Sequence, residues 1–175
     1  MRRVAIIGSS GAGKSTLARR LGERTGLPVV HLDEHFWQPG WVETPGDEWR
    51  SAQTALCAQD AWIMDGNYSG TLDVRLARAD TVVFLDLPRR VTIPGVVGRW
   101  VRHHGEPVQA PGCPERPTRQ LLRFVWDYPT GGRVRALAAL DAHGRDDLDL
   151  VVLRSRAEIR RWLDDLDPLA DATPH

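Results

Sequence analysis

The chain is almost devoid of lysine. Of its 23 basic residues 22 are arginine, and Lys14 is the exception. Cysteine is scarce too. Cys57 and Cys113 are too few for a disulfide framework. No apolar run approaches the ~18 residues that a membrane span requires. The first apolar stretch, 4–7, stops at Gly8 and is too short for a signal peptide. These absences lead us to expect a cytoplasmic protein with two reduced thiols and no membrane partner. An excess of one charge is also missing, with 23 basic and 23 acidic side chains. The whole chain is therefore not a basic nucleic-acid binder. Repeats, low-complexity segments and helix-turn-helix, zinc-finger or RNA-binding signatures are absent.

What is present is ordinary globular material: 175 residues, 42% hydrophobic and 26% charged. This length predicts one domain over 1–175, with a lid inserted at about 99–119 and an acidic tail at 168–175. Five short apolar runs, at 4–7, 29–32, 62–65, 81–86 and 148–153, read as strands. Helical patterns separate them, so the expected architecture is a three-layer α/β/α sandwich on a five-stranded parallel sheet. Residues 33–46, rich in Trp, Pro and Gly, read as a loop. Pro94 is expected to bend or delay the helix after Pro88. Ser155 and Glu158 form a capping-box pattern that opens the last helix.

The motif that carries chemistry is Gly8-Ser9-Ser10-Gly11-Ala12-Gly13-Lys14-Ser15, followed by Thr16. It matches G-x-x-x-x-G-K-[ST] and lies between a predicted strand and a predicted helix. Its glycines let backbone N–H groups wrap a phosphate, and the helix N-terminus adds partial positive charge. Lys14 is expected on the β- and γ-phosphates, and the Ser15 hydroxyl on Mg²⁺. ATP and Mg²⁺ are the expected cofactors. With one lysine at 14, the Asn-Lys-x-Asp guanine motif is impossible.

Three carboxylates end predicted strands, the edge where open α/β sheets bind ligands. Asp33 is the candidate general base for an attacking hydroxyl, with His31 and His35 as alternatives. Asp65 is the candidate Mg²⁺ residue, acting through water. Asp86 either shares these tasks or caps a turn. Arg99 and Arg102 lie three apart on a predicted helix, and Arg116 and Arg119 repeat the spacing. These four are the candidate lid arginines that stabilise the transferred phosphoryl group. Residues 89–135 carry nine Arg against Glu106, Glu115 and Asp127, and so hold the chain's positive excess. Trp37, Trp41 and Tyr68 are either a stacking surface for an acceptor or a cluster closing the loop. Trp49, Trp62, Trp100, Trp126 and Trp162 are expected in the core.

Asp65-Gly66, the strand ending Leu85-Asp86-Leu87-Pro88, and the Arg-bearing helix and lid resemble the adenylate-kinase-like nucleotide kinases. Four strings also resemble the bacterial DNA topology modulation proteins: His31-Leu32-Asp33, Pro39-Gly40-Trp41, Trp62 to Tyr68, and Gly112-Cys113-Pro114-Glu115. That resemblance spans about 3–159. It implies an adenylate-kinase-like fold and ATP binding. The segment 32–36 is similar to the base-bearing segment of uridine and nicotinamide riboside kinases. After Gly66, however, Asn67-Tyr68-Ser69 replaces the Phe-Pro-Arg of adenylate kinases. Arg75 is the nearest downstream candidate for an acceptor's phosphate, beside Gly66, Asn67 and Tyr68. The leading functional expectation is an ATP-dependent small-molecule kinase whose acceptor is a nucleoside, nucleotide or other hydroxyl compound. The alternatives are a nucleic-acid-associated ATPase and a nucleotide-binding switch with little turnover.

Overall fold

A computed structural model describes residues 1–116 and 118–166. The tail expected over 168–175 lies outside them. β1 (Arg3–Gly8) is the central strand, and its residues Val4–Ile7 are completely buried. It pairs in parallel with β5 (Trp62–Asp65) on one side and β6 (Thr81–Leu85) on the other. β2 (Val29–His31) and β7 (Asp149–Leu153) complete a five-stranded parallel sheet in the order β2-β5-β1-β6-β7. β1, β5 and β6 are continuous apolar runs because helices cover both their faces. β7 forms one edge and is exposed over its first two residues.

α1 (Lys14–Thr25) packs Leu17, Ala18 and Leu21 on one face, where Leu163 of α8 (Arg156–Asp165) joins them. The opposite face receives Trp49 and Cys57 of α3 (Gly46–Cys57), Leu72 and Leu76 of α4 (Leu72–Leu76), and Ala136 and Leu140 of α7 (Gly132–His143). This is the expected three-layer sandwich. The Ser155 hydroxyl accepts from the Glu158 N–H at 3.1 Å, so the predicted cap opens α8.

Two regions depart from expectation. The loop predicted over 33–46 contains α2 (Leu32–Phe36) and an antiparallel hairpin of β3 (Trp37–Gln38) and β4 (Val42–Glu43). Pro39-Gly40 makes the turn: the Trp41 N–H donates to the Gln38 carbonyl at 3.1 Å, and Gly40 has φ 83°. Pro then Gly at the two central positions is the chemistry of a type II turn. α5 (Arg89–Arg102) runs through Pro94 without interruption. α6 (Arg119–Asp127) buries only Val125, and Trp126 is 58% exposed rather than in the core. The Arg89 guanidinium lies 4.9 Å from the centroid of that indole. Trp49 and Trp62 are buried as expected; Trp100 and Trp162 are half-buried.

Candidate active site

The loop between β1 and α1 is shaped by positions that favour glycine. Gly11 and Gly13 have φ of 77° and 95°. A Cβ on Gly11 would lie 2.2 Å from the Thr92 carbonyl of α5, and one on Gly13 would lie 2.4 Å from Nη1 of Arg156. At Gly11 both the dihedral and the space exclude a side chain; at Gly13 the dihedral does, since the Arg156 guanidinium can move aside. Lys14 starts α1, and its Nζ donates to the Ser9 carbonyl at 3.0 Å, folded over the loop. Burial pulls its ammonium pKa down, opposed by Asp33 and Asp65. The Ser9 hydroxyl is buried without a partner. Ala12 is buried, Ser10 is half-buried, and Thr16 is exposed in the first turn of α1. A buried unsatisfied hydroxyl, a cation and a helix N-terminus around one concave backbone fit a polyphosphate.

The strand-end carboxylates converge on this loop. The Ser15 hydroxyl donates to Asp65 Oδ2 at 2.7 Å, and Asp65 Oδ1 is paired with Nδ1 of His31. Parallel pairing of β2 with β5 sets His31 directly beside Asp65. The His31 pKa is raised, chiefly by its hydrogen bond to Asp65. One hydroxyl and one carboxylate, 2.7 Å apart, suit a magnesium ion that keeps several waters. No cluster of three His, Cys, Asp or Glu side chains that could hold a metal occurs among the described residues.

Asp33 sits in the first turn of α2 and accepts a hydrogen bond from the Tyr68 hydroxyl at 2.5 Å. Its carboxyl pKa is raised by burial, against the hydrogen bond from Tyr68 and the charge of Lys14. Burial also drives the Tyr68 phenol far up. Tyr68 has φ 21° and ψ 59°, a strained conformation for a non-glycine residue. Arg75 of α4 holds it there, donating to the carbonyls of Gly66 at 2.7 Å, Asn67 at 3.0 Å and Tyr68 at 3.2 Å.

Arg75 is thus a correction to the sequence reading. It is completely buried, and its donors are spent on backbone rather than presented to an acceptor's phosphate. Burial lowers its pKa to about 10. Sequence spacing marks Arg75 as the nearest cation downstream of Gly66 but does not show which way an arginine turns.

The four candidate lid arginines also separate. Arg99 points inward and donates Nε–H to Glu115 at 2.6 Å, while its Nη2 is buried without a partner. Its charge reaches both Lys14 and Asp33. Arg102 shares the helix but is exposed, folded back toward Gly98 of its own α5. Arg116 and Arg119 are exposed as well. Asp86 is committed to another partner. It is held by Arg133 through bonds of 2.8 and 2.9 Å.

Three features were not anticipated. Glu115 is 2% exposed and holds both Arg99 and the Gln109 amide on Oε1, each at 2.6 Å. The 112–115 string docks on the hairpin. The Gly40 N–H donates to the Gly112 carbonyl at 3.0 Å, the Trp41 indole to the Pro114 carbonyl at 3.1 Å, and the Cys113 thiol to the Gln38 carbonyl at 3.2 Å. Two motifs seventy residues apart in sequence are therefore halves of one contact. Finally, Arg156 of α8 donates to the Gly11 carbonyl at 3.1 Å and leans across the loop between β1 and α1. The aromatic residues form one cluster: Phe36 packs on Trp37, Trp49 and Tyr68 with centroids 4.8–5.1 Å apart, and Trp37 packs on Trp41 at 5.4 Å. The rings of Trp37 and Trp41 stay half-exposed at its rim.

No protein-family model matches this chain, and no curated protein matches it in sequence. Solved structures do match. A shikimate kinase from Acinetobacter baumannii, determined with shikimate, aligns with a TM-score of 0.57 at 17% identity, over 94% of this chain and 89% of that one. A sugar kinase from Janibacter sp. HTCC2649 aligns with a TM-score of 0.54 at 24% identity, over 100% and 99%. A shikimate kinase from Bacteroides thetaiotaomicron aligns with a TM-score of 0.54 at 14% identity, over 93% and 94%. The chain therefore shares the α/β fold of these solved structures, a five-stranded parallel sheet between helical layers.

Proposed function

We propose that this protein is an ATP-dependent phosphotransferase that moves the γ-phosphoryl group of ATP to a hydroxyl of a small-molecule acceptor. The observation that carries this reading is the placement of Asp33. A carboxylate with a raised pKa stands within Coulombic reach of Lys14, beside the phosphate loop, oriented by the Tyr68 hydroxyl. That is what a general base for an attacking hydroxyl requires.

In this reading the loop 8–16 binds the polyphosphate through its backbone N–H groups, and Lys14 leaves Ser9 for the β- and γ-oxygens. The acceptor oxygen bonds to the γ-phosphorus as the bond to the bridging β–γ oxygen breaks. ADP leaves, and the hydroxyl proton goes to Asp33. Arg99, positioned by Glu115, offers its unpartnered Nη2 to the transferred group. Ser15 and Asp65 would hold magnesium, which supplies charge neutralisation across the phosphates. Trp37, Trp41, Gly66, Asn67 and Tyr68 border the acceptor. The segment at about 99–119 acts as the lid, with Arg102, Arg116 and Arg119 on its outside. No family model supports the resemblance to DNA topology modulation proteins.

The test is ADP production from Mg·ATP, with and without a panel of nucleosides, nucleoside monophosphates, sugars and small alcohols. Lys14→Ala is run beside it. Acceptor-dependent ADP release, absent in Lys14→Ala, is the expected result. ATP binding without stimulation by any acceptor refutes the phosphotransferase reading.

A further inference from the structure

We infer that the acceptor is a neutral or amine-bearing hydroxyl compound, without a phosphate or carboxylate of its own. The inference rests on the kinase reading above and narrows it. An anionic acceptor must exchange its hydration for cationic donors, as bound phosphates and carboxylates do. The acceptor side of the site offers few of them among the described residues: Arg135 reaches it from α7 and donates to the Ser69 hydroxyl at 3.4 Å, and His31 is spent on Asp65. From His31 to Val74 the chain carries eight acidic residues against a single arginine, Arg50, no lysine, and the two histidines His31 and His35. Arg50 is already committed to Asp73 through two bonds of 2.8 and 3.1 Å. The next cation, Arg75, is sealed from solvent and clamps three carbonyls of the 66–68 loop.

The two cations that remain near Asp33 serve the other substrate. Lys14 lies on the phosphate loop, and Arg99 is tied to Glu115 with its charge directed at Lys14 and Asp33. What the acceptor side does present is Asp33, Glu34 and Glu43, beside the half-exposed rings of Trp37 and Trp41. Aromatic faces attract cations and stack on the apolar faces of sugars. Negative charge near them repels an anion and favours an ammonium group.

Matched pairs that differ mainly in charge test this: adenosine against AMP, glucose against glucose 6-phosphate, and glucosamine against N-acetylglucosamine. ADP release is measured at saturating Mg·ATP. The uncharged member of each phosphate pair should exceed its partner by about a hundredfold or more in kcat/KM. Glucosamine should exceed its N-acetyl analogue by about tenfold, equivalent to ~1.4 kcal/mol. That advantage should shrink as salt is raised and in Glu34→Gln and Glu43→Gln. AMP or glucose 6-phosphate used as well as, or better than, its uncharged partner overturns the inference and leaves the kinase reading standing. No ADP release above the Lys14→Ala baseline with any compound overturns both. Thermal shift of the ADP-saturated protein gives a readout independent of turnover. Stabilisation by AMP but not by adenosine also overturns the inference.

Discussion

Replacing Tyr68 with Phe removes one hydroxyl and leaves a ring to pack on Phe36 and Trp49, whose centroids lie 4.8 Å away. The consequence falls on Asp33, which loses the 2.5 Å hydrogen bond to its charged form. A hydrogen bond to an ionised group contributes about 1.5–3 kcal/mol. One pKa unit corresponds to about 1.36 kcal/mol, so the Asp33 pKa should rise by about 1–2 units. Burial has already raised it, so the two effects add in sign. A base works only when ionised. The acid limb of the kcat–pH profile should therefore move to higher pH by about 1–2 units, with a smaller loss on the alkaline plateau. Stability supplies a second check. A carboxyl whose folded pKa is raised favours the folded state while protonated. That contribution is complete below the unfolded value near 3.9 and is lost as pH rises through the folded pKa. Tyr68→Phe should thus lower the urea midpoint more at neutral pH than at acid pH. An acid limb with an unchanged midpoint in Tyr68→Phe would refute Asp33 as the base held by Tyr68.

The other predictions are briefer. Asp33→Asn should lower kcat by about 100-fold or more with ATP affinity retained; an unchanged rate removes Asp33 from the base role. Arg75→Ala leaves three carbonyls without donors and a cavity beneath Tyr68, so it should lower unfolding free energy by about 3 kcal/mol or more, read from urea melts. Arg156→Ala releases the Gly11 carbonyl and should raise the Kd for ADP about threefold to tenfold, measured by calorimetry, with the urea midpoint little changed. Trp41→Phe removes the bond to Pro114 and should speed tryptic cleavage after Arg119; an unchanged rate argues against the hairpin contact as the restraint on that segment.

The sequence by itself determined what depends on neighbouring residues. The glycines and lysine at 8–15 place a phosphate loop after a buried strand because backbone conformation and helix start are local properties. The apolar runs announced the strands, and Ser155 with Glu158 announced α8, for the same reason. The parallel connections and three layers followed from alternating strands and helices. Asp33 and Asp65 were legible as candidates because strand ends are where such sheets bind ligands.

The tertiary structure decided what depends on direction and partners. Arg75 and Arg99 look equivalent in sequence, yet one clamps backbone carbonyls and the other is held by Glu115 with its charge felt at Lys14 and Asp33. Pro39-Gly40-Trp41 and Gly112-Cys113-Pro114 gave no sign of meeting, and neither did Arg156 and Gly11. Each of these depends on which partners packing brings within about 3 Å, across separations that local propensity cannot span.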